Sequence, residues 1–356
     1  MALPRPKQAL NPTPESELEI MMPLNTLKPY LGDIDALLSI TEEDAKKSYA
    51  QPALKNLGSV TFVVLRELIS PASFRNAESE ITDIESRGRR HVRAVANKFK
   101  FGERARGLQV LRFFAAGGVS AQNKTAFYGK EKPSDKFDLN ALVFGDSANA
   151  GNKVLPVKAA AQYSDAISLQ EYGDAVDVTF HNRASEDGTL FNAQKKENSV
   201  NLFDRHFVRP GTLLLQTISF NGKVAPLEAV EHLILSMGLA GAYGGQTSIY
   251  GVNVRNHVVG CYAGRFERDL ASPYVAVDAL YQAGVDVADS VAVVDALKNL
   301  YSHAYPIEVN GAEIVDVQKS LIARLEAEDD GMRTSYQGNA KKIGMYFDAW
   351  FEGIGG

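Results

Sequence analysis

Nine basic side chains fall within 26 residues: Arg87, Arg89, Arg90, Arg93, Lys98, Lys100, Arg104, Arg106 and Arg112, against the single acid Glu103. The stretch carries +8, so the rest of a chain with formal net charge −5 carries −13. Such asymmetry predicts a polyanion-binding face on an acidic body, with guanidinium and ammonium groups holding phosphate oxygens. Phe99, Phe101, Phe113 and Phe114 interleave with these charges. Bases stack on aromatic faces while arginines hold the backbone, but phenylalanines at these spacings could equally be core. The plain alternative is a solvated basic face or a protein contact.

A second candidate is the glycine-rich run from Gly241 to Gly251. Gly244 and Gly245 give backbone freedom and close approach. Gln246 and Thr247 offer neutral hydrogen-bonding groups, and Tyr243 offers a flat ring. These are means of packing on a sugar–phosphate chain, although a plain turn would use the same residues. The run from Gly118 to Thr125 nearly matches a phosphate-binding loop, with Asn123 in place of the second glycine. It follows a helix where that motif needs a strand. Nucleotide hydrolysis is therefore not expected, and Asn123 and Lys124 are candidates for single phosphate contacts. Arg205, with Lys195 and Lys196, adds charge at the return of a long polar segment.

These residues need a frame to hold them. A chain of 356 residues with 45% apolar and 23% charged residues can bury a sizeable core. One cysteine, Cys261, excludes an intramolecular disulfide and a multi-cysteine zinc site. The six histidines show no close ligand spacing, so neither a metal nor a cofactor is expected. No apolar run is long enough to span a bilayer, which leads to the expectation of a cytoplasmic protein with no membrane partner.

Periodicity predicts a strand over 59–69, a helix over about 103–116, two strands within 139–161 and 211–220, a helix over 226–240 and a strand over 250–260. The fold class expected is α+β: an RRM-like (ferredoxin-like βαββαβ) core with large insertions and helical additions. Residues 1–57 read as an N-terminal arm and helical segment. Residues 58–265 read as the core, with a basic insertion at 71–102 and a polar hairpin insertion at about 165–208. Residues 266–356 read as a C-terminal helical region closed by an apolar segment with the only tryptophan, Trp350.

Residues Phe207-Val-Arg-Pro-Gly-Thr-Leu213, the helix from Leu227, and Ala242-Tyr-Gly-Gly-Gln-Thr-Ser248 leading into Val252-Asn-Val-Arg-Asn256 carry a family resemblance. Asn97-Lys-Phe-Lys-Phe-Gly-Glu-Arg-Ala-Arg106 and the Phe144-Gly-Asp-Ser147 turn support it. Over about residues 59–265 the sequence resembles the backbone subunit of CRISPR–Cas effector (Cascade) complexes, most closely the type I-D version.

The resemblance implies a non-catalytic protein that binds crRNA. Copies line up in a helical filament with other effector subunits and display the guide for pairing with target nucleic acid. It implies that Lys98, Lys100, Arg104, Arg106 and Arg112 hold phosphates. By the same resemblance, Tyr243, Gly244, Gly245, Gln246 and Thr247 pack on RNA, and the polar hairpin is a thumb. Two alternatives stay open. Related type III subunits cut RNA with an aspartate after the first strand, so a metal-dependent ruler-type nuclease using Asp83 or Asp146 is one. An RNA-independent structural assembly protein is the other.

Overall fold

The computed structural model describes residues 14–33, 35, 57–74, 82–118, 131–150, 153–182, 191–192, 196–198, 202–244 and 251–351. Its centre is β1 (Ser59–Leu68), whose middle, Phe62-Val-Val-Leu65, is unbroken apolar sequence. Such a run suits a strand covered on both faces. It pairs antiparallel with β12 (Leu213–Asn221) on one side and β13 (Val254–Gly264) on the other. Beyond β12 lie β6 (Ala161–Tyr163) and β7 (Ala166–Glu171), and beyond β13 lies β14 (Ile307–Asn310). The hairpin of β2 (Asp83–Ser86) and β3 (Arg89–Ala94) adds to β7, giving the order β14-β13-β1-β12-β7-β3-β2.

Two apolar layers sandwich this sheet. On one face Val60, Phe62 and Val64 share a core with Val110 and Leu111 of α2 (Asn97–Phe113) and with Leu233 and Ile234 of α5 (Leu227–Leu239). The same core takes in α1 (Pro14–Asn25), α3 (Leu139–Phe144), α8 (Gly311–Glu326) and α9 (Asp330–Trp350). On the other face Val63 and Leu65 join Leu280 of α6 (Pro273–Gln282) and Leu297 and Tyr301 of α7 (Ser290–Ala304). Each such side chain contributes about 1.5–3 kcal/mol on full burial. The C-terminal helices are thus part of one body with the sheet, and a nucleic acid finds no bare sheet face over β1.

The α+β class holds, while three sequence expectations need correction. Leu139 to Phe144 is a helix, because Asp138 caps it by accepting from the Ala141 N–H at 3.0 Å and Gly145 ends it at φ 79°. Of the basic insertion expected at 71–102, described residues 83–94 are part of the sheet and 97–102 begin α2. Arg87 and Gly88, at φ 54° and 76°, make the two-residue turn that closes the β2–β3 hairpin onto the sheet. The polar segment thought to leave the core at Asp165 first forms the buried strand β7 and the short α4 (Tyr172–Ala175). Only then do β8 (Val176–Asn182) and β11 (Leu202–Val208) pair as a separate two-stranded ribbon. Between them, β9 (Phe191–Asn192) pairs with β10 (Glu197–Asn198).

Candidate nucleic-acid interface

Helix α2 has two unlike faces. Phe99, Glu103, Gly107, Val110 and Leu111 recur at spacings of three and four and are buried. Lys98, Phe101, Arg104, Leu108 and Arg112 recur in the same way and lie on the outer face, with Lys100 and Arg106 flanking it. The four phenylalanines therefore divide. Phe99 and Phe114 are core, whereas Phe101 is 66% and Phe113 45% exposed.

Glu103, the one acid of the basic stretch, is fully buried and accepts from the Arg66 Nη1 at 2.6 Å. Tyr243 Oη donates to it at 3.0 Å, and Tyr163 Oη donates to its other oxygen. Three further Arg66 N–H groups donate to Gln216 Oε1, at 2.8 and 3.1 Å, and to Asn256 Oδ1, at 2.9 Å. The guanidinium also lies 4.6 Å from the Phe99 ring centre. Burial alone would lower the Arg66 pKa, but the Glu103 carboxylate reverses this and holds it above its ordinary value. Burial, followed by the Glu103 charge, pushes the Tyr243 and Tyr163 phenols up. Both stay protonated and act as donors.

This network fixes the base of the glycine-rich loop. The buried Asn253 side chain accepts from the Tyr243 N–H at 2.9 Å and donates to the Tyr243 carbonyl at 2.8 Å, pinching the two ends together. At Gly102 a Cβ would stand 3.2 Å from the Tyr243 ring, so α2 presses directly on the loop base. Gly244 takes φ 94°, and a Cβ there would lie 2.7 Å from the Ser73 carbonyl oxygen. The structure departs from the expectation for Tyr243, which was to offer a flat face. Its ring is 1% exposed and packs 5.0 Å from Phe99. Gly245, Gln246, Thr247, Asn123 and Lys124 lie outside the described residues, as does the side chain of Arg205, whose backbone belongs to β11.

The remaining cations separate into two groups. Those of the hairpin are engaged by the body behind them. Arg87 Nε stands 3.8 Å from Asp278, Arg89 lies 4.0 Å over the Tyr281 ring, and Arg93 Nε contacts Asp165 at 2.7 Å. Arg90 pairs with Asp83 and lies 4.2 Å over Tyr172. On α2, Arg104 reaches Asp146 at 2.9 Å, Arg106 bonds Gln109 at 2.9 Å, and Arg112 Nε donates to the Gly118 carbonyl at 2.7 Å. Burial, with the nearby Arg104 charge, lowers the Lys100 pKa. Glu103 and Asn253 were not foreseen from sequence as positioning residues. The signal was present for Glu103, whose helical spacing sets it among Phe99, Gly107 and Val110.

A family profile described as Csc2 Crispr matches residues 50–340. The chain belongs to the Csc2 CRISPR family. Among solved structures, Csc2 of Thermofilum pendens aligns with a TM-score of 0.60 at 14% identity, over 94% of this chain and 97% of that one. A chain of a CRISPR RNA-guided surveillance complex aligns at 0.44 and 13% identity, over 70% of this chain and 86% of that one. No curated protein matches in sequence. In this Csc2 family member the two acids considered for cleavage, Asp83 and Asp146, are each ion-paired with an arginine, Arg90 and Arg104. Among the described residues no three His, Cys, Asp or Glu side chains converge as a metal site, and no helix is long and apolar enough to cross a membrane.

Proposed function

We propose that this Csc2 family member is the crRNA-binding backbone subunit of a type I-D surveillance complex, non-catalytic and multimerising along the guide. One observation carries the reading. The outward cations of α2 and the base of the glycine-rich loop are held side by side by the Glu103–Tyr243 contact, so phosphate holders and a close-approach loop share one edge. Lys98, Lys100, Arg104, Arg106 and Arg112 hold backbone phosphates there, and sequence reading is left to base pairing. Gly244 through Thr247 then form the loop that packs on RNA.

The strand order β13-β1-β12-β7, with α2 and α5 as crossovers, supports an RRM-like core. With both faces of β1 covered, RNA follows the helix and loop edge instead of the sheet. In this reading the β8–β11 ribbon is the thumb, and the partners are crRNA, paired target, neighbouring copies and other effector subunits. The hairpin arginines Arg87, Arg89, Arg90 and Arg93 rest on acids and tyrosine rings at the other end of the strand order, away from β13 and the loop that precedes it. They serve as secondary contacts to RNA or to an adjoining subunit.

The test is to purify the protein with its guide RNA and record the absorbance ratio at 260 and 280 nm, then size the extracted nucleic acid. A large particle holding RNA of defined length is expected. A nucleic-acid-free monomer that ignores added guide would overturn the proposal.

A further inference from the structure

Phe101 is 66% exposed, more than Phe113 of the same helix at 45%, whereas Phe99, Val110 and Leu111 are buried. A lone exposed apolar residue is ordinary, but the surroundings of this one are not. Lys98 and Arg104 stand three residues to either side, one helical turn away on the same face, and Ala105 and Leu108 continue the stripe. The next residue, Gly102, presses on the Tyr243 ring and on the Ala242 carbonyl, 3.5 Å from where its Cβ would lie. Phe101 is therefore anchored through its backbone at the foot of the glycine-rich loop while its ring projects outward. Phe99 and Glu103, on the opposite face, are locked in the core and keep α2 from rotating.

We propose that Phe101 is a base-stacking residue for single-stranded RNA, holding one base flat against its ring while the flanking cations hold the phosphates on either side. The inference rests on the RNA-binding reading above. An uncharged ring between cations discriminates by chemistry: stacking accepts any base because every base has a π-face. It adds affinity without releasing counterions. A protein partner docking on the same stripe would also bury the ring without counterion release, but replacing Phe101 would then leave binding of a bare oligonucleotide unchanged.

The decisive experiment uses the full-length protein and a fluorescein-labelled oligoadenylate too short for two copies, titrated at several salt concentrations. Phe101→Ala and Phe101→Leu are expected to weaken binding about tenfold. The slope of log Kd against log salt and the melting temperature should stay as in the parent. Phe101→Trp should restore affinity, with its added fluorescence quenched by unlabelled RNA. Trp350, stacked on Phe351 with ring centres 5.1 Å apart, supplies the constant background. If the parent binds RNA and Phe101→Ala binds equally well, the stacking role is overturned and the RNA-binding reading stands. If the parent binds no RNA at any salt, both fall.

Discussion

Arg66 of the central strand and Glu103 of the basic helix meet at 2.6 Å with no exposure of either side chain. A charge pair removed from water in this way adds little net stability, because desolvation offsets most of the attraction. What it does fix is position. Any sliding of α2 along the sheet would leave both charges unpaired, so the pair sets where the outward cations stand relative to the loop.

Replacing Glu103 by Gln should therefore cost far more than loss of a surface pair. Arg66 would remain buried and charged, at a cost of about 3–5 kcal/mol. The double variant Arg66→Met with Glu103→Leu should recover much of that loss. Chemical denaturation of the three proteins measures this directly, and a cost below about 1 kcal/mol, the value of an exposed pair, would show that the network tolerates rearrangement.

Gly244 should not accept a side chain. Its φ of 94° disfavours any L-residue, and the Ser73 carbonyl would lie 2.7 Å from the added carbon. Gly244→Ala is expected to lose about 1–3 kcal/mol of stability and to weaken RNA binding. A variant with parental melting temperature and affinity would mean that the loop base can shift without consequence.

Glu231 and His232 adjoin on α5 and respond to pH with opposite signs. Burial, with the Glu228 charge close by, pushes the Glu231 carboxyl up from 4.5 to about 7. Its contribution is present below pH 4.5 and is lost as pH rises through about 7. Burial pushes the His232 imidazole down from 6.5 to about 3, so its contribution is present above pH 6.5 and is lost as pH falls. Between pH 4.5 and 6.5 the two oppose one another. Glu231→Gln should make stability rise with pH across that window, and His232→Gln should make it fall. Thermal melts at stepped pH check this, and profiles parallel to the parent for both variants would contradict the assignment.

Much of the frame was legible in the sequence because the central elements carry a single consistent signal. The β-branched run at Ser59–Leu68, the Pro226 start of α5 and the paired apolar strands needed no tertiary context. What escaped was set by partners distant in sequence. Leu139–Phe144 is apolar at every position but one, so pattern could not separate helix from strand, and the Asp138 cap decided it. Ala166–Glu171 reads as polar until His91 and Val92 of β3 close over it by bonding Ser168. In the candidate interface, the basic residues were visible by count but not their division between hairpin and helix. Tyr243 read as a stacking surface because the sequence does not show that Glu103, 140 residues earlier, draws its hydroxyl into the core.

The most direct test of the central claim is the salt dependence of RNA binding with Arg106→Glu and Lys100→Glu set beside the parent. If α2 holds phosphates, log Kd should rise steeply with log salt in the parent, and each variant should bind more weakly with a slope reduced by about 1 per lost contact. Unchanged affinity and slope in both variants would contradict the account and place the nucleic acid, if bound at all, on another face of the protein.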